Sequence, residues 1–122
     1  MTRAVRGAIL VGKNEQRVIY DAALRLVREM MKLNGMREED IISAVFSMTA
    51  DLDAGNPATG IREAGFAETP FFCVQEAKIH GGMARVIRAL VTYEGQSGRK
   101  PVAVYLDGAE ALRPDIRARR AQ

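Results

Sequence analysis

Two arginines lie inside apolar stretches of the sequence, and they are the residues with the clearest capacity for chemistry. Arg88 interrupts the run VIRALVTY at 86–93, and Arg6 interrupts the run AVRGAILV at 4–11. A guanidinium keeps its charge, so its burial costs free energy unless an anion meets it. One interpretation is that each arginine pairs with a carboxylate of the chain, such as Glu76 or Glu94. The other is that both bind a shared anion, and a small dicarboxylate suits the bidentate geometry of arginine.

The sequence offers little for other kinds of catalysis. Its single histidine, His80, lies in a glycine-rich turn, and its single cysteine is Cys73. No metal-ligand cluster follows from these residues, and a Ser-His-Asp or Cys-His arrangement would have to use the loop histidine. Two further residues have the chemistry to join an anionic site. They are Arg62, in a turn-rich segment, and Tyr105, in the last apolar run.

Composition and charge indicate one globular domain. The chain has 122 residues, of which 48% are hydrophobic and 27% are charged, a balance that needs no disulfide. The net charge is +3, and the C-terminal run RPDIRARRAQ carries four of the 18 basic residues. The remainder is close to neutral, which argues against a nucleic-acid face. We interpret the run as a solvated tail, with a basic arm that attracts an anion as the alternative. The single cysteine suits a reducing cytoplasm, and no apolar run is long enough to span a membrane.

Hydrophobic periodicity predicts an α+β domain with one long helix against about five short strands. The long helix is expected at about 15–33, with Asn14 as its N-cap. A short helix is expected after Pro57. The strands are expected at 4–11, 41–49, 69–76, 86–93 and 101–106. Because one helix covers one face of a sheet and the strands look apolar on both, we expect the other face to meet a second copy of the chain.

Four motif blocks, in order along the chain, resemble the monofunctional AroH-class chorismate mutases. The blocks are RGA at 6–8, T-x-D-L-x-A-x-x-P-A-x-x-x-R at 49–62, C-x-Q-E from 73 followed by GG at 81–82 and IR at 87–88, and VYLxxAxxLRPD at 104–115. Each block is weak alone, and their order and spacing together make the resemblance specific.

The resemblance implies a mixed sheet with one long helix that assembles as a homotrimeric pseudo-α/β-barrel. Residues 1–112 would form the single domain and 113–122 a basic C-terminal tail. Active sites would lie between neighbouring subunits and convert chorismate to prephenate, on the way to phenylalanine and tyrosine. The reaction would need no cofactor, metal, nucleic acid or membrane. It would rely on electrostatic stabilisation and on holding the substrate in a reactive conformation.

The resemblance also implies roles for individual side chains. Arg88 would donate to the ether oxygen and a carboxylate of the substrate. Arg6 and Tyr105 would bind the enolpyruvyl carboxylate, and Glu76 and Cys73 would contact the ring hydroxyl. The remaining candidates would close the mouth of the site or shape its apolar wall: Arg62 and Arg113 for the former, Leu112 and Ala58 for the latter.

Two features of the sequence leave alternatives open. Asn56 stands where the family commonly has a phenylalanine, so a related enolpyruvyl or cyclohexadiene dicarboxylate is an alternative ligand, for an enzyme of the same fold or for a non-catalytic binding protein. Nucleic-acid binding through the tail is a third hypothesis. Strict alternation also puts Cys73 and Glu76 on opposite faces of a strand, so both reach one site only if the chain bends or bulges between them.

Overall fold

Five β-strands and two α-helices make up the part of the chain that the structure, a computed structural model, describes, which is residues 1–112. The helices are α1 (Gln16–Leu33) and α2 (Pro57–Glu63), and short 3-10 turns occur at Glu38–Asp40 and Ala109–Leu112. The strands are β1 (Thr2–Leu10), β2 (Ile41–Met48), β3 (Phe71–Gln75), β4 (Val86–Glu94) and β5 (Val104–Leu106). Each predicted strand is therefore found, and the third and the last are shorter than expected.

The strands form one mixed sheet in the order β3-β2-β4-β1-β5. Strand β4 pairs antiparallel with both β1 and β2, whereas β5 and β3 pair parallel with β1 and β2. The prediction of an α+β domain with a mixed sheet is confirmed. Helix α1 has 18 residues and α2 has seven.

Helix α1 covers one face of this sheet. Its buried stripe includes Ile19, Leu26 and Met30, which pack against inward side chains of the strands. The approach is close at Gly7 of β1, because an added Cβ atom would lie 2.6 Å from the sulfur of Met30. Within residues 1–112 no helix is long and apolar enough to cross a lipid bilayer.

The other face of the sheet is open in the single chain, and we call it the open face. Phe72, Val45 and Leu90 lie side by side across β3, β2 and β4 on this face. Their exposed fractions are 64%, 40% and 46%. Such a row of exposed apolar side chains is typical of an interaction surface, and that a second copy of the chain meets it stays a prediction.

The start of α1 differs from the prediction. Its N-cap residue is Glu15, which makes no side-chain cap. The side chain of Asn14 instead donates to Asp53 Oδ1 at 2.7 Å and accepts the backbone N–H groups of Asp53 and Ala54 at 3.1 and 3.0 Å. Three hydrogen bonds to the segment that leads into α2 replace the single bond of a cap.

Buried Asn34 ties the end of α1 to the loop that precedes β5. Its amide nitrogen donates to Met30 O at 2.8 Å and to Val102 O at 3.0 Å, and its oxygen accepts from Val102 N at 2.7 Å. These bonds fix the backbone two residues before β5, the strand that carries Tyr105.

The contact between α1 and α2 depends on a glycine. A Cβ atom added at Gly60 would lie 2.5 Å from Cγ of the buried Tyr20. This ring atom is bonded directly to Cβ, so it has little room to move. We expect Gly60→Ala to lower the free energy of unfolding by about 1–2 kcal/mol, because the overpacking exceeds the gain in helix propensity. Urea denaturation would measure this change. Gly12→Ala is the control, since no atom lies within 4 Å of its added Cβ; equal stability of the two variants would contradict the prediction.

Candidate active site

The register of the sheet brings three predicted site residues to the open face. Arg88 of β4 pairs with Ala8 of β1, and Ala8 pairs with Tyr105 of β5. Arg6 lies two residues before Ala8, so alternation along β1 gives it the same face. The two arginines and the tyrosine therefore surround one small residue, Ala8.

These residues line a cavity of about 230 Å³ on the open face. The Tyr105 side chain is almost buried beside it, whereas 44% of the Arg88 side chain is exposed. The lining residues are Arg6, Gly7, Ala8, Val45, Ser47, Arg88, Ala89, Leu90 and Tyr105. The cavity thus has two guanidinium groups and two hydroxyl groups in an otherwise apolar wall, which is a chemistry suited to an anionic organic molecule.

Glu76 pairs with Arg88 on the open face. Its carboxylate forms an ion pair with Nε of Arg88, and its side chain is 20% exposed. The backbone N–H of Glu76 donates to Met48 O at 2.7 Å, which holds the residue at the end of the β2–β3 pairing. The interpretation that a carboxylate of the chain meets Arg88 is therefore confirmed. Of the ion pairs within residues 1–112, none involves Arg6.

A second cavity, of about 480 Å³, adjoins the first at Arg88. The β3–β4 loop, residues 76–85, forms much of its wall together with Thr49 and Asp51. The loop includes the exposed His80. Arg88 lines both cavities and therefore lies where the two spaces meet.

Cys73 lies on the opposite face of β3 from Glu76. The register of β3 to β2 is continuous from Phe71 to Gln75, so the chain makes no bulge there. The thiol packs against the core and lines a separate cavity of about 230 Å³ that also includes Asn56. Burial raises the pKa of the Cys73 thiol, so the group is protonated at neutral pH and can donate a weak hydrogen bond.

Helix α2 holds two more candidates on the Cys73 side. Asn56 is its N-cap, with Oδ1 accepting the Ala58 N–H at 2.9 Å, and Pro57 occupies the first turn as predicted. Ala58 is buried, and Arg62 is exposed in the last turn. Leu112 instead packs beside Tyr105 at the edge of the open face.

The candidates therefore form two groups in one chain. The open-face group is Arg6, Glu76, Arg88, Tyr105 and Leu112. The helix-side group is Ala58, Arg62 and Cys73. Arg113, the ninth candidate, lies outside the described residues, as does the predicted tail at 113–122.

Residues 2–116 match the family model of chorismate mutase type I. The chain belongs to this family. It is 33% identical over 118 residues to chorismate mutase AroH of Thermus thermophilus, covering 95% of this chain and 97% of the relative. It is 31% identical over 118 residues to chorismate mutase AroH of Bacillus subtilis, covering 95% and 93%. A solved structure of a chorismate mutase from Clostridium thermocellum is similar with a TM-score of 0.85 and 35% identity, covering 90% of this chain and 99% of that one.

The family predicted from the four motif blocks is thus confirmed, and the chain is that of a chorismate mutase. Sequence reasoning missed other residues beside the cavities of this enzyme. Ser47 faces Arg88 across the β2–β4 pairing, and alternation from Val45 could have found it. Thr49 and Asp51 belong to the T-x-D-L motif and line the second cavity, but the sequence pattern alone indicates no role for them.

Proposed function

We propose that this chorismate mutase rearranges chorismate to prephenate at the Arg88 cavity, by electrostatic stabilisation and by holding the substrate folded. The observation that carries the proposal is the convergence of Arg6, Arg88 and Tyr105 around Ala8 in one cavity. Chorismate has two carboxylates, an ether oxygen and a hydroxyl group, and the cavity supplies donors of the matching kind.

Arg88 is the proposed catalytic cation. In this pericyclic reaction the C–O bond breaks ahead of C–C bond formation, so negative charge grows on the ether oxygen. A fixed guanidinium at that oxygen stabilises the transition state more than the bound substrate. The ion pair with Glu76 orients the guanidinium before substrate binds, so little reorganisation remains for the reaction itself.

The other side chains would hold the substrate. Arg6 and Tyr105 would bind the enolpyruvyl carboxylate, which keeps the flexible group in a near-attack conformation. Glu76 accepts hydrogen bonds and would contact the ring hydroxyl, with the protonated Cys73 thiol as a second contact. Arg62 and Arg113 would close the mouth of the site by charge, and Leu112 and Ala58 would shape its apolar wall.

We infer that one site takes its residues from two copies of the chain. Cys73 and Glu76 lie on opposite faces of β3, so a single chain cannot present both to one substrate, whereas two adjacent copies can. The exposed row of Phe72, Val45 and Leu90 supports burial of the open face against a neighbour. A homotrimer arranged as a pseudo-α/β-barrel, with the sheets inside and the helices outside, satisfies both requirements. Its place would be the cytoplasm, in phenylalanine and tyrosine synthesis.

The test is to incubate purified protein with chorismate and to follow the loss of its absorbance. Turnover well above the spontaneous rate is expected, with prephenate as the product. A rate equal to the spontaneous rate would contradict the proposal. Sedimentation of the same sample would report the mass, and a monomer would contradict the two-copy site.

Asn56 motivates the second candidate, a related enolpyruvyl or cyclohexadiene dicarboxylate as ligand. Its Oδ1 accepts the Ala58 N–H, and the amide nitrogen could donate to a polar group of the ligand, a hydrogen bond that a phenylalanine side chain cannot make. Faster turnover of such a compound than of chorismate would favour this candidate. Thermal stabilisation by the compound without turnover would indicate a binding protein instead.

A further inference from the structure

A network of hydrogen bonds joins the loop after β2 to Arg85 and Val86, where the β3–β4 loop ends and β4 begins. The Asp51 carboxylate accepts the backbone N–H of Arg85 through both oxygens, at 3.1 and 3.0 Å. The Thr49 hydroxyl donates to Asp51 Oδ1 at 2.5 Å and accepts the backbone N–H of Val86 at 3.0 Å. We call these residues, Thr49, Asp51 and Arg85, the clamp.

Arg85 has a backbone conformation that needs such support. Its φ angle is +51°, in the left-handed region that a long L side chain rarely adopts. Beyond the bonds from Asp51, its side-chain Nε donates to Val11 O at 3.0 Å, and its carbonyl accepts from Val11 N at 2.8 Å. A strained residue of this kind persists only where its surroundings fix it.

The clamp lies next to the proposed chemistry. Arg85 ends the loop 76–85, directly before the first residue of β4 and three residues before Arg88. Asp51 lines the 480 Å³ cavity together with Glu76 and Arg88. The hydrogen bond from Thr49, with that from the Arg85 N–H, holds the pKa of the Asp51 carboxyl below its usual range against the opposing effect of desolvation. The acceptor is therefore charged at neutral pH, and its hydrogen bonds are of the strong, charge-assisted kind.

We propose that Asp51 is a positioning residue for this reaction: by holding Arg85 in its left-handed conformation, it sets where the loop 76–85 joins β4. The positions of Glu76 and Arg88 relative to each other depend on that junction. This role rests on the proposed function, because the groups positioned are those that would stabilise the transition state. This role would also explain the T-x-D part of the 49–62 motif. Its side chains hydrogen-bond to each other and to the backbone N–H groups of Arg85 and Val86, and none of these bonds goes to a side chain proposed to bind substrate.

The test is a double-mutant cycle in the full chain. Asp51→Ala is expected to lower kcat about tenfold or more with a smaller change in KM, because a misplaced cation loses transition-state binding most. Arg85→Gly is expected to lower kcat by no more than about twofold, since glycine adopts a positive φ without support. The kcat of the double variant should then lie within about threefold of that of Arg85→Gly, because glycine at position 85 does not need the hydrogen bonds from Asp51.

A role for Asp51 that does not act through the backbone of Arg85 would not give this rescue. If the losses of the two single variants multiply, or if Asp51→Ala keeps the kcat of the wild type, the inference is overturned. Asp21→Ala is the control for a change of net charge, since Asp21 is exposed on α1 and pairs with Arg17 at 3.5 Å; it should match the wild type.

Amide hydrogen exchange separates this inference from the proposed function. Asp51→Ala should remove the protection of the Arg85 amide, and unchanged protection would overturn the clamp whatever the activity. A wild-type protein that does not turn over chorismate, but whose Arg85 amide loses protection in Asp51→Ala, would contradict the proposed function and retain the clamp.

Discussion

Arg88→Ala is expected to lower kcat/KM for chorismate by about a thousandfold or more, at the upper end of the effect of removing one transition-state donor. Two losses combine in this variant. The growing charge on the ether oxygen loses its cation, and the Glu76 carboxylate, 20% exposed, loses its ion-pair partner. An unpaired carboxylate then faces a substrate with two negative charges. The double variant Arg88→Ala/Glu76→Gln should therefore bind substrate better than Arg88→Ala alone.

Two comparisons make this prediction specific. Arg88→Lys keeps the charge but loses the planar fork, so an intermediate loss of about ten- to a hundredfold is expected. Arg28→Ala removes an exposed arginine from α1, away from the sheet face, and should retain wild-type kinetics. Thermal unfolding of each variant checks that the fold survives. A kcat/KM of Arg88→Ala within tenfold of the wild type would remove Arg88 from the proposed mechanism.

Mixing two inactive variants is expected to restore activity if each site joins two copies of the chain. Arg88→Ala damages the open-face group, and Arg62→Glu damages the helix-side group by repelling the anionic substrate. When the two are refolded together at equal amounts, about one quarter of the sites should combine an intact open face with an intact helix side. Their activity should approach one quarter of the wild-type value, measured by loss of chorismate absorbance.

The matched control uses two variants of the same group. Arg88→Ala mixed with Arg6→Ala should stay inactive, because every site takes both arginines from a single chain. Recovery in this control as well as in the first mixture would mean that the grouping is wrong. No recovery in either would indicate a site within one chain, and full activity of Arg62→Glu alone would remove Arg62 from the site.

Local pattern predicted most of the elements, because each depends on the spacing of a few apolar residues. Strand β4 was expected at 86–93 and is found at Val86–Glu94, and α1 was expected at about 15–33 and is found at Gln16–Leu33. Strand β5 was expected to begin at 101 and begins at Val104. The backbone at Val102 is instead bonded to the Asn34 side chain, a distant partner that periodicity does not detect.

The candidate site was less accessible to the sequence, since it depends on which faces meet. Alternation correctly predicts that Cys73 and Glu76 lie on opposite faces of the sheet, but it cannot predict whether a bulge brings both to the same face. The prediction that Asn14 caps α1 is wrong, because its side chain instead forms three hydrogen bonds with Asp53 and Ala54. The left-handed backbone of Arg85 carries no sequence signal at all, because an arginine gives no hint of positive φ.

Strand β4 carries core residues and the proposed catalytic cation at alternate positions, with Ile87 and Ala89 inward and Arg88 outward. Substitution at one position can therefore change catalysis and leave packing intact. Loss or gain of a single residue within the strand would exchange the two sets, placing a guanidinium in the core and isoleucine in the cavity. Length changes during evolution should then be confined to connections such as 95–103, while the strand itself diverges by substitution alone.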